Sequence, residues 1–270
     1  MAAANNNPAF RNSPAFTTKS VVTSTTVNGK TMTPEQLGEL YGRPSATPVD
    51  TDRMTYEDTI VKIVIAFAIL LGGAVVGWFV PILAIPAEII GFVLALVNIF
   101  KKAPSRGLVL AYAAFEGVFV GGISRIFEQQ WDGIVVQAVF GTLAVVGVTL
   151  ALFATGKVRE SKRATQIFLV AIIGYAAFSL INFILMLTGV TSGMFGLRSI
   201  EIFGIPLGFF IGIFVILLAA YSLVMDFTTV KLGVERGAPR VYGWQAAFGI
   251  MVTVVWLYTE VLRLLAILRD

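Results

Sequence analysis

Four carboxylates stand inside long, otherwise almost uncharged stretches of this chain. They are Glu88 in PAEIIGF, Glu116 in LAYAAFEGVFVGGISRIFE, Asp226 in YSLVMDFTTVKLG and Glu260 in VTVVWLYTEVLRLLAIL. An ionised carboxylate near the centre of a bilayer costs about 2.5–3.5 kcal/mol on insertion scales, and several Leu or Ile at about −0.5 kcal/mol each offset one. Helices carrying these residues still insert, but each charge must face a bundle interior, water or a partner. The chain has no histidine and no cysteine. Ser-His and Cys-His catalysis, imidazole or thiolate metal sites and disulfides are therefore excluded. Proton sensing near neutral pH would fall to carboxylates.

The four positions differ. Glu88 follows Pro86 and reads as an interfacial residue near a helix start. Glu116 lies well inside its helix beside Gly117, which permits close helix contact, so an interhelical hydrogen bond is expected. Asp226 follows the uncharged run 202–225, and Phe227, Val230 and Leu232 continue the apolar pattern beyond it. If the helix ends at Met225, Asp226 sits at the membrane surface; if it continues to the next cation, Lys231, five residues or about 7.5 Å on, Asp226 lies below the interface. Glu260 lies inside the last apolar segment with Arg263 at i+3 on the same face. A self-neutralising pair within one helix is the alternative reading there.

The elements that must position these residues are membrane helices. Of 270 residues, 57% are hydrophobic and 13% charged, against about 25% charged in soluble domains. The fold class is all-α and polytopic, with spans predicted at 58–80, 83–101, 107–128, 132–155, 165–188, 202–231 and 245–268. The net charge of +4 calls for no nucleic acid, because the cations gather in alternate loops. Lys101, Lys102 and Arg106 follow the second span. Lys157, Arg159, Lys162 and Arg163 follow the fourth, and Lys231, Arg236 and Arg240 the sixth. Those loops are read as cytoplasmic, with the N-terminus inside and the C-terminus outside. Glycine pairs at i, i+4 (Gly73/Gly77, Gly117/Gly121, Gly204/Gly208, Gly208/Gly212) are read as close helix packing within the bundle.

Residues 1–57 read as a polar, largely disordered cytoplasmic tail preceding the 58–270 membrane domain. The tail repeats NPAF at 7–10 as SPAF at 13–16 and carries a short helix signature over 33–45. TYED at 55–58 has the form of a capping box that opens the first span. The start lacks the features of a cleavable signal peptide. With no organelle address and no cysteine, a bacterial plasma (inner) membrane is the expected location.

Two stretches carry a family resemblance. One is FEGVFVGGIS (115–124) with DGIVVQAVFGTLAVVGVTLAL (132–152). The other is MDFTTVKLG (225–233) with WLYTEVLRLLAIL (256–268). Together, in order, spacing and hydropathy over residues 58–270, they resemble the Bax inhibitor 1 family, the transmembrane Bax inhibitor motif proteins. The resemblance implies seven helices with the last surrounded by six, and in some members a pH-sensitive calcium leak. It further implies a proton-sharing acidic pair on helices six and seven, matched here by Asp226 and Glu260. Two adjacent carboxylates cannot both ionise cheaply and titrate as a pair. With waters they would form a weak site for Ca²⁺, which takes 6–8 oxygen ligands. This sequence departs from the family pattern in having Glu at the second acidic position, a longer loop KLGVERGAPRVYGWQ, and Arg263 beside Glu260. The family's cationic latch near helix two has Lys101, Lys102 and Arg106 as candidates, with Glu88 as a partner.

These readings converge on a pH-sensitive cation leak gated by Asp226 and Glu260, with Glu116, Glu88 and Arg263 as supporting charges. The expected partners are the lipid bilayer and Ca²⁺ or another cation, and no cofactor is called for. The alternative is a regulatory membrane protein that modulates a membrane protease or stress-response partner, with the tail as its handle. An enzyme is not expected: no histidine is present for a serine dyad, and no Gly-x-Gly-Asp segment accompanies the acidic residues.

Overall fold

Thr55 begins the first helix, as its place before the apolar run predicts. Its side chain accepts from the Asp58 N–H at 3.2 Å, which supplies one of the bonds that a helix start otherwise lacks. The Asp58 carboxylate does not return the bond; it is taken by Lys62 and Arg240. The computed structural model describes residues 25–27, 30–32, 52–101, 103–191 and 193–269. The NPAF/SPAF duplication, the helix expected over 33–45 and Lys102 lie outside the described residues. The chain divides into two units, residues 1–47 and 48–270. In the first, where composition predicts linker, Thr25–Val27 (β1) pairs antiparallel with Lys30–Met32 (β2).

Among the described residues, the second unit contains seven helices long and apolar enough to cross a membrane. They are α1 (Tyr56–Phe79), α2 (Ala84–Phe100), α3 (Arg106–Gln130), α4 (Ile134–Ala154), α5 (Lys162–Leu187), α6 (Leu207–Glu235) and α7 (Tyr242–Ile267). The largest departure from the sequence reading is the start of α6. Five residues expected in the helix instead form a tiny hairpin of Glu201–Ile202 (β3) and Ile205–Pro206 (β4). Phe203 and Gly204 turn it with positive φ, and Pro206 then precedes the helix, where its missing N–H costs nothing. At its other end α6 runs on to Glu235.

Helix α7 is the axis of the bundle. Some 61% of its most apolar window is buried, against 11% for α5 and 22% for α1 and α4. It packs against α1, α3, α4 and α6. The outer helices turn large apolar side chains outward, among them Ile85, Phe100 and Val170, as lipid-facing surfaces require. Glycine sets the α1–α3 contact. A Cβ at Gly77 would be driven into the Val118 carbonyl oxygen, and one at Gly121 into that of Ala74. The pairs 73/77 and 117/121 therefore mediate packing within the chain. Gly204 does not: it belongs to the hairpin turn and meets nothing.

Two connections bring residues to the bundle core. At one end, residues 52–54 clasp the α6–α7 loop. Met54 N–H donates to Ala238 O at 2.7 Å, Arg240 N–H donates to Asp52 O at 2.8 Å, and Arg53 bridges to Pro239. The Arg240 guanidinium binds Asp58 at 2.7 Å, and that contact holds its pKa above the usual value. At the other end, the turn 195–199 bends inward. Asn182 of α5 fixes it, accepting from Leu197 N–H at 2.7 Å and donating to Phe195 O at 3.2 Å. Gly196 has φ +59, and a Cβ there would lie 2.5 Å from the Asn182 oxygen. This turn drives Arg198 into the bundle.

Candidate functional site

Asp226 lies about two thirds of the way along α6, nine residues before its end. Its partner is on α7: Thr253 Oγ1 donates to Asp226 Oδ2 at 2.6 Å. Ser222, one turn back on α6, approaches the same hydroxyl at 3.3 Å. Gly249, one turn before Thr253, leaves room for the carboxylate; a Cβ there would lie 3.3 Å from Asp226 Oδ1. Small or hydroxylated residues at i and i+4 on α7 thus form a seat for the acid. Among the described residues, Asp226 makes no salt bridge.

The same carboxylate borders a cavity of about 390 Å³ that also exposes Asn98, Thr229 and Gln245. Met54, itself only 4% exposed, forms part of its wall at the clasp. A carboxylate beside amide and hydroxyl oxygens is the ligand chemistry that hard cations accept. It falls short of a metal cage. Among the described residues, no group of three or more acidic, His or Cys side chains could hold a metal ion.

Glu260 is elsewhere, and this corrects the acidic pair. It lies seven residues beyond Thr253 on α7, about 10 Å further along the axis. Its carboxylate is 2% exposed and fully engaged. Arg198 Nη1 donates to Oε2 at 3.4 Å, while Tyr175 and Arg263 both donate to Oε1. Arg198 also donates to the Tyr175 hydroxyl at 2.8 Å. Asp226 and Glu260 therefore share neither a hydrogen bond nor a common Ca²⁺ site. The residue opposite Asp226 is Thr253.

Glu88 and Glu116 do come together. They border a second cavity, of about 300 Å³, between α2, α3 and α7, with Tyr112, Thr259 and Arg263 on its walls. Glu116 is buried and lies close to Gly91 of α2, where a Cβ would be 3.1 Å from its Oε2. One oxygen of Glu88 is buried without a hydrogen-bond partner. Glu88 cannot serve Lys101 as a latch partner, because thirteen residues of α2, about 20 Å, separate them. Arg106 instead lies over the Trp244 ring at 5.5 Å.

The two cavities meet α7 at successive levels without joining. Tyr112 borders the second and Phe248 the first. Their rings pack edge to face with centroids 5.0 Å apart, within a buried cluster that includes Ala113, Met251 and Val255.

Three participants escape a reading of the sequence: Thr253, Tyr175 and Arg198. Thr253 and Tyr175 are ordinary residues in apolar helices and carry no signal. Arg198 has one, since it is a lone cation in a glycine-rich loop expected to carry little charge.

Residues 7–270 match the family described as Bax inhibitor 1 like, and the chain belongs to that family. Comparison with curated proteins gives no match.

Proposed function

We propose that this member of the Bax inhibitor 1 like family is a pH-sensitive cation leak, with Ca²⁺ as its ion and Asp226 as its titrating group. One observation carries the reading. A carboxylate within an apolar helix has a hydroxyl rather than a cation as its partner and opens onto a cavity whose walls also carry Asn98, Thr229 and Gln245. Such a group can lose its proton and receive a cation in its place. Glu260 cannot do so without displacing two arginines, so its part is structural in this scheme.

The path runs along α7. The Asp226 cavity serves one side of the bilayer and the Glu88/Glu116 cavity the other, with the Tyr112–Phe248 contact as the closed barrier between them. By the distribution of Lys and Arg, the Asp226 cavity faces the cytoplasm in this scheme. The protein acts without cofactor and without a chemical step. The sign of the pH effect follows from charge: protonation removes the negative charge that draws a cation in, so flux falls as pH falls. Purified protein in liposomes loaded with a Ca²⁺ dye tests this. Dye signal above that of empty liposomes, rising across about pH 5 to 8, is expected. Silence throughout that window would defeat the proposal.

A further inference from the structure

Beside the Glu260 cluster lies a third cavity, of about 480 Å³, between α5, the turn 195–199 and α7. Its charge does not balance. Arg198 and Arg263 contribute two guanidinium groups to its wall and Glu260 a single carboxylate. Arg263 also borders the Glu88/Glu116 cavity, but among the described residues no hydrogen bond or salt bridge links it to either acid. Arg198 borders only this cavity among those described and is 4% exposed. Its hydrogen bonds run from Nη1 to Glu260 and from Nη2 to Tyr175, whereas a guanidinium carries five N–H donors. Ser179, in the same wall, has a buried hydroxyl with no partner. An unbalanced charge at membrane depth is costly, and a guanidinium matches an oxyanion in shape as well as charge.

The rim shows where such an anion would come from. Phe183 and Met194 line the cavity yet are 58% and 40% exposed on the outer surface of the bundle. Helix α5 is the least buried of the seven. The opening is therefore lateral and apolar, at the end of the bundle where α5 finishes and α6 begins. We infer that this crevice binds an acidic phospholipid, its anionic headgroup on Arg198 and Arg263 and its chains across Phe183 and Met194. The negative charge of the phosphate diester would meet the Arg198 N–H donors that Glu260 and Tyr175 do not take.

The test is lipid retention. The full chain is placed in nanodiscs of mixed phosphatidylglycerol and phosphatidylcholine and extracted into detergent, and retained lipids are counted by native mass spectrometry. Wild type retains phosphatidylglycerol preferentially. Arg198→Gln lowers that preference about fivefold, Arg198→Lys, which keeps the charge but not the planar fork, lowers it less, and Arg159→Gln, an exposed cation in the α4–α5 loop, leaves it unchanged. Ser179→Leu, which narrows the crevice and keeps both guanidinium groups, also lowers it, so the proposal does not depend on the folding of one variant. Equal retention of the two lipids by wild type overturns the inference. So does an equal loss in Arg159→Gln and Arg198→Gln. Thermal stabilisation by inorganic phosphate without retention of phosphatidylglycerol would assign the cavity to a soluble anion and likewise overturn it.

Discussion

Replacing Glu260 by Gln should be among the more destabilising single changes available in this bundle. The substitution keeps the shape of the side chain and removes the negative charge that two guanidinium groups share. Arg198 lies 3.4 Å from the carboxylate, with both side chains almost wholly buried. At that distance and an effective dielectric constant of about 20, the Coulomb attraction is about 5 kcal/mol. Desolvation offsets much of it while the pair is intact, but breaking a buried pair leaves the partner charge stranded, at about 3–5 kcal/mol. Arg263, a third exposed, adds less. We expect Glu260→Gln to lose about 3–5 kcal/mol and Arg198→Met a comparable amount. The double variant should lose clearly less than the sum, with a coupling energy of about 2 kcal/mol. Denaturant unfolding in micelles, followed by tryptophan fluorescence, gives the cycle; Trp256 lies 6.3 Å from the Tyr175 ring. A Glu260→Gln variant within about 0.5 kcal/mol of wild type, or a strictly additive cycle, would refute the view that this cluster holds the 195–199 turn to α7.

Gly77→Ala should destabilise the bundle by about 1–3 kcal/mol, because its Cβ meets backbone of α3 that cannot move aside; Gly72→Ala, with nothing near it, should leave stability unchanged or raise it by up to about 1 kcal/mol in the same unfolding assay. Thr253→Val removes the hydroxyl that Asp226 accepts from, a loss of about 1.5–3 kcal/mol for a bond to a charged group, and should alter the pH profile of Ca²⁺ flux. Met54→Ala should cost about 2 kcal/mol and raise flux, because it removes a wall of the Asp226 cavity at the clasp; unchanged flux would show that this side of the cavity does not limit the leak.

Much of the architecture is legible in the residues, for physical reasons. Seven apolar runs and the Thr55 cap act through local chemistry, and the 73/77 and 117/121 glycines through a close helix contact whose i, i+4 spacing the sequence records. The start of α6 was not legible, because 202–206 is apolar enough for a helix and only Pro206 and Gly204 hint at a turn. The Asp226 site was half legible. A carboxylate inside an apolar helix is conspicuous, whereas the threonine opposite it is not, since a hydroxyl on a membrane helix has many neutral uses. Glu260 misled for a related reason. Its i+3 neighbour Arg263 was visible in the sequence, but the decisive partner, Arg198, arrives from a loop 62 residues away. Sequence spacing along α7 cannot report an inward bend that depends on Asn182 and on a positive φ at Gly196.

The most direct test of the central claim is Ca²⁺ flux through Asp226→Asn in liposomes, measured against pH beside wild type and Thr253→Val. Asn keeps the size and the hydrogen bond of Asp226 but cannot ionise. If Asp226 is the titrating group of a cation leak, this variant should stay at the low-pH level of wild type from about pH 5 to 8. A variant that retains the full pH response of wild type would contradict the claim.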